Sequence, residues 1–72
     1  MDWNNADDRA RERADRVAEV AAIDSGEWPR TLDDCLRWSK PNDPAYARRL
    51  CILQISAIDE KNAREATAGG AA

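Results

Sequence analysis

The sequence predicts an all-α fold: an antiparallel pair of long helices with a short helix in the connection, forming a homodimer. Three observations carry this expectation. From Asp43 to Ala66 no glycine or proline follows Pro44, and the apolar side chains fall on helical stripes. Near the start, small apolar residues recur in alternating steps of three and four over Ala10, Ala14, Val17 and Ala21. The chain has 72 residues, and few large apolar side chains lie outside the central stretch. A core of that size is marginal alone, and a second copy would supply the missing buried surface.

The first helix opens on Asn4 or Asn5 as its cap, with Asp7 and Asp8 in the first turn, where carboxylates suit the helix dipole. It is expected to run to about Ile23. Its seam is Trp3, Ala10, Ala14, Val17 and Ala21, with Val20 alongside, and an alanine-rich seam allows close approach to a bulkier helix. The remaining face is a lattice of charge. Asp7–Arg11 and Glu12–Arg16 are favourable pairs, Arg9–Arg13 and Asp15–Glu19 unfavourable ones, each worth a few tenths of a kcal/mol. This face is therefore read as the solvated side. Read as a phosphate-binding stripe, Arg9, Arg11, Arg13 and Arg16 would lose most of their field to Asp8, Glu12, Asp15 and Glu19.

Asp24-Ser25-Gly26 ends that helix, with Gly26 as a left-handed cap. Glu27 to Arg30 is extended, because a residue before proline avoids the helical region. Trp28 there is expected to plug one end of the helix pair. Thr31 caps a second, short helix, and Asp34 stands where a capping box places its acid. That helix is expected to reach about Ser39, with Leu32, Cys35, Leu36 and Ser39 facing inward and Trp38 to one side. Lys40 to Pro44 makes the turn.

The central helix opens with Asp43 as cap and Pro44 at the first position, where its missing N–H costs nothing. About 23 residues at about 1.5 Å each give a length of about 35 Å. Tyr46, Leu50, Leu53 and Ala57 form one stripe; Ala47, Cys51, Ile55 and Ile58 form another, roughly 120° away. Gln54 lies between them and needs a polar partner. Arg48, Arg49, Ser56, Asp59 and Glu60 make the polar side, with Ile52 in its middle. The arc is too wide for one neighbouring helix. Residues 1–66 are read as one domain and residues 67–72 as a flexible tail.

Composition excludes more functions than it selects. Eleven basic and 14 acidic residues give a net charge of −3, which disfavours nucleic acid and anionic membranes. The opening Met1-Asp2-Trp3-Asn4 is no secretory signal, and Leu50 to Leu53 is too short an apolar run to span a bilayer, so a soluble cytoplasmic protein is expected. Without histidine or a CxxC pair, no metal site is expected, and Cys35 and Cys51 are read as free thiols. Asp33 and Asp34 suit a helix start, and Gly69-Gly70 is too isolated to cradle a phosphate. No cofactor and no catalysis are expected.

The aromatic residues point to a surface. Trp38 and Tyr46, on either side of the turn, with Arg48, Arg49 and Ile52 near by, form the expected partner-binding patch. The function expected is that of a small non-enzymatic regulator or inhibitor docking on another protein. By analogy alone, such modules are common among accessory proteins of phages and mobile elements. The alternatives are a helix-turn-helix DNA-binding regulator using Arg48 and Arg49, or a structural subunit of a larger assembly.

Overall fold

A computed structural model describes residues 1–38 and 42–70. The expected end of the short helix at Ser39, the Lys40-Pro41 part of the turn and the last two residues of the tail lie outside them. The element order is α1 (Ala6–Ser25), α2 (Leu32–Arg37) and α3 (Pro44–Gly70), with no strand among the described residues. The two long helices pack against each other.

Local signals set the boundaries. The Asn5 side chain accepts from the Asp8 N–H at 3.1 Å, and Asp7 and Asp8 occupy the first turn of α1. Gly26 closes α1 at φ 80°, its N–H donating back to the carbonyls of Ala22 and Ile23. The helix thus runs two residues beyond the expected Ile23. Thr31 caps α2 by accepting from the Asp34 N–H at 3.4 Å. Asp43 caps α3 through a 3.0 Å bond from the Tyr46 N–H. α3 continues past Ala66 to Gly70, which makes it 27 residues and about 40 Å long.

The rotation of α1 differs from expectation. Ala10, Ala14, Val17 and Ala21 face solvent, and Val17 is 43% exposed. Arg9, Arg16, Glu19 and Ala22 are the buried positions instead. The reason lies in what each face can gain. Alanine methyls bury little area, whereas the charged face finds partners on α3. Arg9 Nε donates to Asn62 Oδ1 at 2.9 Å, and its Nη2 pairs with Glu65. Arg13 forks onto Asp59 at 2.7 and 3.2 Å. Gln54 donates to Glu12 at 3.2 Å, which supplies the partner its position required. Arg48 forks onto Asp24 at 2.8 and 3.4 Å.

On α3 the second stripe turns inward: Ala47, Cys51 and Ile58 are buried and Ile55 half-buried. Of the first stripe, Tyr46 and Leu50 are half-buried, while Leu53 and Ala57 are exposed. α2 also inverts its expected face. Asp34 is buried, Cys35 is half-buried, and Leu32 and Leu36 stand 71% and 72% exposed. The apolar core of the described residues is therefore Ala22, Ala47, Cys51 and Ile58, set among Arg9, Arg16, Glu19 and Asp34. No helix among the described residues is long and apolar enough to cross a membrane.

Candidate functional site

A buried network of charge fixes α2 and the two tryptophans that flank it. Its centre is the fully buried Glu19. Glu19 Oε2 accepts from the indole N–H of Trp28 at 3.0 Å and of Trp38 at 2.5 Å. Its Oε1 accepts from Arg37 Nη1 at 3.0 Å and lies 3.4 Å from Arg16 Nη1. Arg16 is fully buried too; it pairs with Asp15 and its guanidinium lies 5.8 Å from the centre of the Trp38 ring.

Asp34 extends the network into α2. It accepts from the Arg30 backbone N–H at 2.9 Å and from Arg30 Nε and Nη2 at 2.8 and 2.9 Å. Arg37 Nη1 adds a bond at 3.2 Å and so bridges Asp34 to Glu19. The forked bond from Arg30 holds the Asp34 carboxyl at about 2, against an ordinary value of 3.8. Asp34 thus reaches back to the N–H of Arg30, one residue before the Thr31 N–H that a capping box would use. With Arg30 and Arg37 both engaged, α2 is tied to α1 by its polar side, and its leucines are left outside.

The five residues expected to form a partner-binding patch occupy two settings. Arg48, Arg49 and Ile52, with Ala45 and Leu53, line an open concavity of about 360 Å³ on α3. Tyr46 joins that group through Arg49, whose guanidinium lies 5.5 Å from the ring centre. Trp38 is half-buried and engaged by Glu19 and Arg16. Ile52 is 39% and Leu53 59% exposed at the concavity. Leu32 and Leu36 on α2 were missed by sequence reasoning, which assigned both to the interior; Leu53 lay on a stripe that it left open between core and interface. The signal available was the adjacent acid in Leu32-Asp33-Asp34: burying Asp34 turns Leu32 and Leu36 away from the core.

Charge around the concavity is uneven. Arg48 is compensated by Asp24. Arg49 has no carboxylate partner among the described residues, whereas every other basic side chain there is in an ion pair. The surface therefore offers apolar contact and one free positive charge.

Elsewhere the chemistry is quiet. Cys35 and Cys51 are free thiols. Burial, with the Glu19 carboxylate beside it, pushes the Cys51 thiol up to about 11, so it carries little thiolate near neutrality. No protein-family model, no curated protein and no solved structure matches this chain.

Proposed function

We propose that this chain is a small non-enzymatic protein-binding regulator that works as a homodimer of antiparallel helix pairs. One observation carries the reading: several large apolar side chains lie outside while four charged ones lie inside. Leu32, Leu36, Ile52 and Leu53 are exposed, while Arg9, Arg16, Glu19 and Asp34 are buried. Exposed apolar surface of this kind, rimmed by polar groups, is characteristic of interaction sites. The order of cross-links supports the antiparallel arrangement, since Arg9, Arg13 and Asp24 meet Glu65, Asp59 and Arg48 in turn.

The docking surface is the concavity of Ala45, Arg48, Arg49, Ile52 and Leu53, with Tyr46 beneath Arg49. It docks protein through apolar contact and uses Arg49 to fix orientation. Nucleic acid is a poorer match, because Arg48 is already neutralised by Asp24 and the one uncompensated cation among the described residues gives little phosphate affinity.

Capture from a lysate with nuclease present tests this. Wild-type protein should retain a stoichiometric protein that Ile52→Asp and Leu53→Asp lose while their helix content is unchanged. Retention by both variants, or loss of every partner on nuclease treatment, would refute the reading.

A further inference from the structure

Two exposed faces of this chain complement each other. On α3, Ala45, Arg48, Arg49, Ile52 and Leu53 form a concavity, and Arg49 stands there without a carboxylate partner. On α2, Leu32 and Leu36 lie one helical turn apart and form an apolar ridge. Asp33 sits beside that ridge, exposed, with no basic partner among the described residues. A pair of leucines four residues apart is the shape that fills a groove on a helix surface. The one chain therefore carries a groove with an unpaired cation and a ridge with an unpaired carboxylate.

We propose that the occupant of the α3 concavity is a second copy of this chain, whose α2 seats Leu32 and Leu36 against Ile52 and Leu53 and sets Asp33 on Arg49. The proposal rests on the reading that this face of α3 docks protein, and it names the occupant. A second copy is favoured by charge and by economy of surface. A two-fold interface makes each contact twice, so one association covers both ridges and both grooves and pairs both free charges. A different protein filling only the groove leaves Leu32 and Leu36 in water. The net charge of −3 on each copy opposes association weakly, because charges beyond about 8 Å are screened at physiological salt and the local pair decides.

Charge reversal across the contact is the test, read by sedimentation equilibrium, with circular dichroism to show that each variant is folded. Wild type should form a closed dimer of the 8.0 kDa chain. Arg49→Asp and Asp33→Arg should each weaken it by about tenfold or more, because each places like charges together twice. The combined variant should recover most of that loss, as swapped charges pair again. Leu36→Lys, at a position 72% exposed in the single chain, should dissociate the dimer without changing helix content.

Three results would overturn the proposal: wild type monomeric at about 100 µM, well above a micromolar dissociation constant; a combined variant no better than the single ones; or growth beyond a dimer. A monomeric chain that still captures its protein partner would sink the second copy and leave the docking surface standing. A monomeric chain that captures nothing would sink both.

Discussion

Replacing Glu19 with Gln keeps the side chain's volume and removes its charge. In the native protein Oε2 serves two indole N–H groups and Oε1 serves Arg37 and faces Arg16. A glutamine has one acceptor oxygen, so its NH2 must point either at the indoles or at the guanidinium groups. Either choice leaves donors facing a donor, and it removes the buried carboxylate that faces the fully buried Arg16. Breaking one member of a buried pair costs about 3–5 kcal/mol. A chain of 72 residues has a total stability of roughly 4–11 kcal/mol. The melting temperature should therefore fall by on the order of 20 °C. Urea unfolding followed by tryptophan fluorescence is the assay, since Trp28 and Trp38 both report on Glu19, with far-ultraviolet circular dichroism as the second probe. In a cycle with Arg16→Met, the coupling should exceed about 1 kcal/mol. A loss below about 1 kcal/mol for Glu19→Gln would refute the view that this network holds α2 in place.

Acid should weaken the fold through Asp34. Its carboxyl sits at about 2 when folded against an ordinary 3.8, so its contribution is complete above 3.8 and disappears as pH falls from there to about 2. That contribution is roughly 2 kcal/mol, and a melting-temperature profile of Asp34→Asn should lack the corresponding step. Ile58→Ala should destabilise by about 2–4 kcal/mol, whereas Leu36→Ser should stay within about 0.5 kcal/mol at concentrations that keep the chain monomeric. Similar losses for the two in urea titrations would contradict their burial. Native protein treated with iodoacetamide should be labelled at Cys35 first, since Cys51 is buried and at about 11 holds only ~0.1% thiolate at pH 8. Equal labelling rates by mass spectrometry would count against a closed Cys51 site.

Helix existence and caps were legible because their signals are local. Asn5, Gly26, Thr31 and Asp43 each act within four residues of the backbone groups they satisfy. The inward stripe of α3 was legible as a pattern, because Ala47, Cys51, Ile55 and Ile58 are apolar at helical spacing. The rotation of α1 was not. Apolar periodicity assumes that the apolar face wins the interior, yet Ala10, Ala14 and Ala21 offer methyl groups only. The partners that make the opposite face worth burying are Asn62, Glu65 and Asp59 on α3 and Arg37 and Trp38 across the connection. They lie far away in sequence, where spacing along one helix carries no information. Arg49 was singled out for its place at the rim of the Trp38 and Tyr46 patch, but its lack of a carboxylate partner among the described residues emerges only when every other pairing is known. The same holds for the outward leucines of α2, which follow from the burial of Asp34.

A charged interior also sets how this protein responds to temperature. Heat capacity on unfolding rises with apolar surface exposed and falls with polar surface exposed. Here Ile58 is the one large aliphatic side chain buried among the described residues, and it unfolds together with buried Arg9, Arg16, Glu19 and Asp34. The heat-capacity increment should fall below the roughly 0.9–1.1 kcal/mol/K usual for a chain of this length. The stability curve is then broad and shallow. The penalty for dehydrating the ion pairs shrinks on warming, so the interior is suited to heat and nearly indifferent to cold.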